Sequence, residues 1–164
     1  MAPASSPLDP AISVVIPTRG RPDLLARCLK ALVSQCLDSS RYEIIVVDDG
    51  PDAATREVFE VAAGAGGPEV RYLAAGSGRG PAEARNLGWR AARAPAIAFT
   101  DDDCVPSRSW LAAGLEALAA GFDGACGQLV VPISETPTDY ERDAAGLRDA
   151  EFVTANCFYR REAL

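Results

Sequence analysis

Three short segments of this sequence carry the residue types best suited to chemistry. They are Asp101-Asp102-Asp103, Asp48-Asp49-Gly50 and Pro17-Thr18-Arg19. Carboxylate oxygens are the ligands that Mg²⁺ and Mn²⁺ prefer, and such ions often share one or two carboxylates with the phosphates of a substrate. The chain contains no histidine, which excludes Ser-His-Asp triads and histidine metal sites. Any chemistry must therefore use carboxylates, hydroxyls, arginine and bound metal.

Each acidic segment alone could simply be a turn or an exposed loop, because Asp and Gly favour turns. Both segments, however, directly follow apolar, β-rich runs that are typical of buried strands. Two such strand ends would meet at one edge of a parallel sheet, where like charges repel by about 1 kcal/mol per pair at 4 Å even in bulk water. A divalent cation would compensate for that repulsion. In an extended loop, alternate residues face the same way, so we expect Asp101 and Asp103 to point into a cleft and Asp102 to point aside.

The elements that would position these segments alternate between strand and helix. Apolar runs predict strands at 12–16, 42–47, 70–73, 96–100, 124–133 and 152–159. Helical spacing predicts helices at 22–36, 53–63 and 81–93, and a further helix that Ser107 caps and Gly121 ends. This alternation predicts an α/β fold with an open, mostly parallel sheet and helices on both faces. In such sheets ligands bind beyond the carboxyl ends of the strands.

Composition limits the class of protein. With 164 residues, 48% of them apolar and 24% charged, the chain resembles one ordinary globular domain. The net charge of −7 and the absence of a basic tract argue against nucleic acid as a partner. We find no bilayer-spanning run and no signal peptide, which predicts a cytoplasmic location. Residues 1–10 are expected to be a disordered leader and residues 11–164 the folded domain. The predominance of arginine over lysine hints at a bacterial, GC-rich source.

Smaller features have ordinary interpretations. The five cysteines form no C-x-x-C pair, so we expect reduced, mostly buried thiols. Trp89 and Trp110 are expected to be packing residues rather than platforms for a sugar. The segment 76–80 is rich in glycine but matches neither the dinucleotide nor the P-loop pattern, so we expect a flexible loop.

Four segments together resemble the family 2 glycosyltransferases, whose fold is called GT-A. They are Ser13-Val14-Val15-Ile16-Pro17-Thr18-Arg19, Ile45-Val46-Val47-Asp48-Asp49-Gly50, Ala84-Arg85-Asn86-Leu87-Gly88 and Ile97-Ala98-Phe99-Thr100-Asp101-Asp102-Asp103. Each motif is weak alone, but their order and spacing fit the family over residues 12–164. The resemblance implies a Rossmann-like GT-A sheet that binds a nucleotide-diphosphate sugar. It also implies metal-dependent transfer of the sugar, with inversion, to a hydroxyl of a glycan, lipid or small-molecule acceptor.

The resemblance also assigns residues to the donor site. Pro17, Thr18 and Arg19 would line the nucleoside pocket, and Asp49 would hydrogen-bond the base. Arg85 would lie near the base or phosphates, and Asp101 would contact the ribose side. Asp102 belongs to the same donor-binding motif. Asp103 would bind Mn²⁺ or Mg²⁺ on the two phosphates. Two of these residues also have plain alternatives, since Pro17 could only end its strand and Arg85 could be a solvated helix residue.

The catalytic base of the family is not matched in this sequence. An inverting transferase needs a carboxylate that takes the proton of the acceptor hydroxyl, and by resemblance it would follow the segment that ends at Leu164. We therefore expect the domain to be incomplete at its C-terminus, with acceptor binding and any membrane-surface association left to a missing part. The alternatives are a noncatalytic nucleotide-binding module, a truncated fragment or a sugar nucleotidyltransferase. The last of these usually has a lysine-bearing loop after the first strand, which residues 17–23 lack.

Overall fold

A computed structural model describes residues 9–76, 78–139, 142, 145–148 and 150–164 of the chain. The helices and longer strands occur in the predicted order. They are β1 (Ile12–Thr18), α1 (Pro22–Val33), β2 (Tyr42–Asp48), α2 (Ala53–Ala63), β3 (Glu69–Ala74), α3 (Pro81–Ala91), β4 (Ala96–Phe99), α4 (Trp110–Ala119), β5 (Gly124–Cys126) and β6 (Cys157–Arg160). Short 3₁₀ turns lie at Ser39–Arg41, Gly146–Arg148 and Arg161–Ala163.

The strands form one mixed sheet in the order β3-β2-β1-β4-β6-β5. The pairs β3-β2, β2-β1 and β1-β4 are parallel, whereas β6 runs antiparallel to both β4 and β5. The strands β1, β2 and β4 are buried along their whole length, as expected for central strands covered on both faces. The predicted α/β fold with an open, mostly parallel sheet is therefore confirmed.

Each face of the sheet packs against helices. On one face Val14 and Val46 pack with Leu29 of α1, Phe59 of α2 and Leu111 of α4 in one apolar cluster. On the other face Val15, Ile45 and Ile97 pack under α3, which contributes Ala84 and Trp89. The alternation of side chains along each strand produces this division, because neighbouring residues point to opposite faces. Helices on both faces are thus confirmed, and Trp110 is a core residue as predicted.

The amino ends of the strands hold an ion-pair network that we name the amino-end cluster: Ser13, Glu43, Arg71 and Arg93. The Glu43 carboxylate is 1% exposed. It accepts hydrogen bonds from Ser13 Oγ at 2.6 Å, from the Arg93 backbone N–H at 2.8 Å and from the Arg71 and Arg93 guanidinium groups at 3.0 Å. Burial alone would raise the pKa of Glu43, but these hydrogen bonds outweigh it and lower the pKa below its usual range.

The two C-terminal strands are shorter than predicted. Strand 124–133 reduces to Gly124–Cys126, and strand 152–159 becomes Cys157–Arg160. Phe152 has a φ of 53°, which is incompatible with a strand, and the Asn156 N–H bonds the Val153 carbonyl in a turn. The antiparallel ladder therefore ends at the Cys126–Cys157 pair, directly after this turn.

Several finer predictions were wrong. The first helix ends at Val33 rather than Cys36. The fourth helix begins at Trp110, and its N-terminus has no side-chain cap. Ser107 contributes only its backbone carbonyl, which accepts the Trp110 N–H. Cys28 and Cys157 are buried, Cys104 is partly buried, and Cys36 and Cys126 are exposed, so the five free cysteines are not mostly buried.

The predicted leader, residues 1–10, falls mostly outside the described residues, which begin at Asp9. Pro10 is buried, and the Ala11 N–H donates to the Arg41 carbonyl at 2.7 Å. Among the helices of the described residues, none has the length and apolar character needed to cross a bilayer.

Candidate functional site

A cleft opens beyond the carboxyl ends of the parallel strands, and we name it the carboxyl-end cleft. Its volume is about 400 Å³. It collects side chains from the ends of β1, β2 and β4 and from the start of α3, as the connectivity of a parallel sheet predicts. The lining residues are Pro17, Thr18, Arg19, Arg21, Asp49, Gly80, Pro81, Arg85, Asp101 and Asp103.

The structure brings together almost all the predicted site residues. Every residue assigned to the donor or metal site lines the cleft except Asp102. Pro17 and Thr18 belong to β1, so the proline does not end its strand as it could have done. Pro17 is tolerated there because it is the second-last residue of β1, where few ladder hydrogen bonds remain to be made.

Arg19 crosses the cleft over two glycines. A Cβ atom at Gly50 or at Gly78 would come within 3.2 Å of the Arg19 side chain, so both positions leave room for it. The guanidinium reaches to 4.0 Å from Asp49 Oδ2 and stays 65% exposed. Gly50 of the acidic motif therefore has a packing role as well as a turn role, and Arg19 keeps most of its hydrogen-bonding capacity open to the cleft.

Asp49 is held rigidly by the glycine-rich segment. Its Oδ1 accepts the Arg79 backbone N–H and its Oδ2 accepts the Gly80 backbone N–H, both at 2.9 Å. The Gly78 N–H also donates to the Asp49 carbonyl at 3.3 Å. We expected a flexible loop at 76–80, but Gly78, Arg79 and Gly80 are each hydrogen-bonded to Asp49. Gly80 has a φ of 91°, a conformation that favours glycine, and it leads directly into α3.

Arg85 pairs with Asp101 across the cleft wall. The guanidinium lies 2.5 Å from Asp101 Oδ1, and the two side chains are 17% and 28% exposed. Gly88, one turn later, lets α3 approach the sheet, because a Cβ atom there would lie 2.4 Å from Val15 Cγ1. The alternative that Arg85 is a freely solvated helix residue is therefore wrong. The motif at residues 84–88 brings α3 close to the sheet and directs Arg85 towards Asp101.

Asp102 faces the interior instead of the cleft. It is fully buried and accepts a hydrogen bond from Thr18 Oγ1 at 2.8 Å. The Arg21 guanidinium lies 2.9 Å from its Oδ1, without the alignment of a hydrogen bond. Burial raises the pKa of Asp102, and the Thr18 hydrogen bond and the Arg21 charge offset only part of that rise. Its side chain joins the ends of β1 and β4 from below the cleft.

The acidic segment is a turn rather than an extended loop. The Cys104 N–H donates to the Asp101 carbonyl at 3.1 Å, and the buried Cys28 thiol donates to the same carbonyl at 3.5 Å. Asp101 and Asp103 nevertheless face the cleft while Asp102 faces away, as predicted. The turn reproduces the expected division because the buried Asp102 is fixed by Thr18.

Arg21 is a charged residue of the cleft that the sequence motifs do not point to. It is half exposed, and its guanidinium lies 3.6 Å from Asp103 Oδ2 while also approaching Asp102. Its position in the sequence could have indicated a role, because Arg21 follows Arg19 after a single glycine and directly precedes Pro22, the first residue of α1. Gly80 and Pro81 were also missed, since they enter the cleft only through the fold.

The donor set suits a hard divalent cation that keeps other ligands. Asp101 and Asp103 present carboxylate oxygens, which Mg²⁺ and Mn²⁺ prefer. Within the ranges that the structure describes, no three Cys, Asp or Glu side chains are grouped to hold a metal ion. Asp101 is already paired with Arg85, so Asp103 is the carboxylate with most capacity to spare, at 50% exposure. This arrangement fits an ion shared with substrate phosphates rather than an all-protein cage.

Comparison with known proteins gives a family and named relatives. The model for glycosyl transferase family 2 matches residues 13–163. Glycosyltransferase AglE of Haloferax volcanii is 32% identical over 110 residues, which are 67% of this chain and 36% of that protein. The pre-mycofactocin glycosyltransferase of Mycobacterium tuberculosis is 32% identical over 130 residues, 79% of this chain and 25% of that protein. The chain thus spans about a quarter to a third of the length of these relatives.

Solved structures share the fold. The mannosyltransferase PcManGT of Pyrobaculum calidifontis, in complex with GDP-Man and Mn²⁺, superposes with a TM-score of 0.75 at 21% identity, covering 97% of this chain and 47% of that one. TarS of S. aureus, in complex with UDP-GlcNAc, superposes with a TM-score of 0.74 at 18% identity, covering 92% of this chain and 45% of that one. Both similarities support the GT-A architecture of the sheet and helices.

Proposed function

Because the chain belongs to glycosyl transferase family 2, we propose that it binds a nucleotide-diphosphate sugar in the carboxyl-end cleft and serves transfer of the sugar to an acceptor hydroxyl. One observation carries the proposal: a single cleft collects arginine and carboxylate side chains from three separate strand ends. The named relatives are glycosyltransferases, and the structural neighbours hold GDP-Man with Mn²⁺ and UDP-GlcNAc, which supports the same class of donor.

Three arginines would receive the donor diphosphate. Arg19 and Arg21 are 65% and 50% exposed, and Arg85 is 17% exposed at the wall of the cleft. Guanidinium groups bind phosphate oxygens through paired, charge-assisted hydrogen bonds. A departing nucleoside diphosphate gains negative charge, so prepositioned arginines would stabilise the transition state more than the bound donor. These side chains would also orient the sugar by fixing its phosphate.

The nucleoside would lie against Pro17, Thr18 and Asp49. The Asp49 carboxylate is held by two backbone N–H groups, and each oxygen keeps a second lone pair that can accept a base N–H. Asp101, held by Arg85, would contact the ribose side. Asp102 would act on the donor only indirectly, because it touches Thr18 and Arg21 and not the cleft.

Asp103 would hold Mn²⁺ or Mg²⁺, and Asp101 would lie beside it. When bound, the ion would neutralise charge on the donor's two phosphates as the leaving group departs. Arg21 lies 3.6 Å from Asp103, so its positive charge offsets part of the repulsion among the neighbouring carboxylates of Asp101, Asp102 and Asp103.

Inversion, the class of acceptor and a cytoplasmic, bacterial setting stay predictions, and we assign no catalytic base within the chain. For that reason a noncatalytic nucleotide-binding module is the second candidate. The family match favours both candidates over a sugar nucleotidyltransferase.

Calorimetric titration with UDP, GDP and dTDP, with and without Mn²⁺, tests the proposal. We expect one nucleotide to bind, and Mn²⁺ to tighten its binding by at least tenfold. Asp103→Ala should remove the gain from Mn²⁺. Asp123→Ala is the matched control, since Asp123 is exposed and lies at the opposite end of the sheet. If none of the three nucleotides binds, the proposed donor site is wrong.

Turnover separates the two candidates. The matching nucleotide sugar should be hydrolysed slowly by the chain in the absence of an acceptor if the cleft supports departure of the diphosphate. Binding without any hydrolysis or transfer, with a range of hydroxyl acceptors supplied, would favour the noncatalytic module.

A further inference from the structure

Two cysteines face each other across the antiparallel edge of the sheet. Cys126 is the last residue of β5 and Cys157 is the first residue of β6, and the strand register pairs them directly. Directly opposed residues in an antiparallel pair project from the same face of the sheet. Cys28, Cys36 and Cys104 lie outside the strands, so no other two of the five cysteines are paired in this way.

The hydrogen-bond pattern puts this pair at a closely spaced position. The Gly127 N–H donates to the Asn156 carbonyl at 3.1 Å, and the Arg160 N–H donates to the Asp123 carbonyl at 2.8 Å. Hydrogen-bonded and non-hydrogen-bonded pairs alternate along an antiparallel ladder, which makes Cys126 and Cys157 a non-hydrogen-bonded pair. Such pairs have Cα atoms about 4.5 Å apart, within the range of roughly 4.4–6.8 Å that disulfides require.

We propose that Cys126 and Cys157 form a redox modification site, which closes into an intrachain disulfide across β5 and β6 when a small-molecule disulfide such as oxidised glutathione is present. Cys126 is exposed on an edge strand, where a small oxidant can reach it. Cys157 is buried, and its thiol donates to the Val153 carbonyl at 2.8 Å in the reduced form. Cys126 is therefore placed to react with a disulfide that arrives from solvent. Cys157 is placed to attack the mixed disulfide that forms on Cys126.

The reaction balances as two exchange steps. The Cys126 thiolate attacks one sulfur of oxidised glutathione, breaks its S–S bond and releases one glutathione thiolate. Cys157 then loses its proton and attacks Cys126 Sγ, which forms the protein disulfide and releases the second glutathione thiolate. The two protons from the cysteines pass to the two glutathione thiolates. Burial raises the pKa of the Cys157 thiol, so the second step should be slower than the first at neutral pH.

The disulfide would stabilise the C-terminal part of the sheet. β5 has three residues, and within the described parts of the chain it pairs with β6 alone. The bond would close a loop of about 30 residues, and restricting a loop of that length in the unfolded chain should raise the thermal midpoint by about 7 to 15 °C. The same bond would hold Cys157 beside Phe99, the β4 residue that precedes the acidic turn.

Peptide mapping after oxidation tests the site. The protein is incubated with oxidised glutathione or with a reductant, its free thiols are blocked, and it is digested with trypsin without reduction. Cleavage after Arg108, Arg142, Arg148 and Arg160 leaves Cys104, Cys126 and Cys157 in different peptides. We expect the oxidised protein to lose two free thiols, to yield one cross-linked peptide that joins Cys126 to Cys157, and to unfold at a higher temperature by the amount given above.

Two serine variants give the matched comparison. Cys126→Ser should lose both the cross-linked peptide and the rise in thermal midpoint, whereas Cys36→Ser, another exposed thiol, should keep both. The proposal is overturned if the wild-type protein keeps five free thiols or stops at a mixed disulfide on Cys126. It is also overturned if the cross-link joins Cys28 to Cys104, the two thiol residues that approach the Asp101 carbonyl.

Discussion

Carboxylates gather at both ends of the parallel sheet, and the two groups differ in what remains available to a ligand. In the amino-end cluster, Glu43 is 1% exposed, and both of its oxygens accept hydrogen bonds from Ser13, Arg71 and Arg93. Buried carboxylates of this kind are neutralised by partners within the protein. The amino-end cluster therefore holds the strands together and has little capacity left for binding.

At the carboxyl-end cleft the charges are only partly paired. The side chains of Asp101 and Asp103 are 28% and 50% exposed, and Arg19 and Arg21 are exposed by half or more. The comparison shows that the number of acidic residues at a sheet edge does not identify a binding site. What distinguishes the two ends is the share of oxygen lone pairs and N–H donors that the fold leaves unused.

The largest effect should come from the amino-end cluster and should concern stability alone. Glu43→Gln leaves two arginines facing an amide in a buried setting, so we expect the free energy of unfolding to fall by about 3 kcal/mol. Glu69→Gln is the control, because Glu69 also pairs with Arg93 but is 56% exposed, and its loss should cost less than about 1 kcal/mol. Urea denaturation measures both. Weaker nucleotide binding by folded Glu43→Gln would show that the two ends are not independent.

A second change tests how α3 joins the sheet to the cleft. Gly88→Ala places a methyl group 2.4 Å from Val15 and 3.0 Å from Val47, both of which are fully buried. Such overpacking should lower the free energy of unfolding by about 1 to 3 kcal/mol. It should also weaken nucleotide binding, because α3 would be pushed outward together with Arg85. Loss of stability with unchanged binding would mean that Arg85 is not placed by this contact.

A third change acts on the carboxyl-end cleft with little effect on stability. Arg85→Ala removes a charge-assisted contact to the proposed diphosphate, so we expect nucleotide affinity to fall about tenfold. Arg90→Ala on the same helix removes an exposed guanidinium that lies over the Trp89 ring, and it should leave affinity unchanged. Titration calorimetry compares the two. Equal losses in both variants would indicate a general charge effect rather than a site.

The fold and the outline of the cleft could be predicted because both depend on local pattern. Buried strands followed by polar segments marked the ends of β1, β2 and β4, and every donor residue named from the motifs except Asp102 lines the cleft. The sequence could predict that Asp102 faces away from the cleft. It could not predict the contact with Thr18, because the two residues are far apart in sequence and meet only where the ends of β1 and β4 lie side by side.

The residues that sequence reasoning missed act through backbone or through distant pairing. Asp49 is held by the backbone N–H groups of Arg79 and Gly80, which no side-chain pattern can reveal. Sequence pattern could not reveal the amino-end cluster because Glu43 lies inside an apolar strand, and its partners come from β1, from β3 and from the segment between α3 and β4. The C-terminal strands are shorter than predicted because apolar residues such as Phe152 are typical of strands, whereas the backbone of Phe152 is left-handed.

The smallest predicted effect distinguishes the amino-end cluster from the carboxyl-end cleft through the pH dependence of the free energy of unfolding. Hydrogen bonds lower the pKa of Glu43 below its unfolded value despite its burial, so its contribution to stability is fully present above that unfolded value. The contribution is lost as the pH falls through the lowered pKa. Between about pH 5 and pH 3, the wild-type protein should therefore lose roughly 1 kcal/mol more unfolding free energy than Glu43→Gln, which has no proton to bind there. Urea denaturation across this window measures the difference. Parallel pH profiles in the two proteins would mean that Glu43 is not held ionised by Ser13, Arg71 and Arg93, and the contrast between a saturated amino end and an open carboxyl end would lose its electrostatic basis.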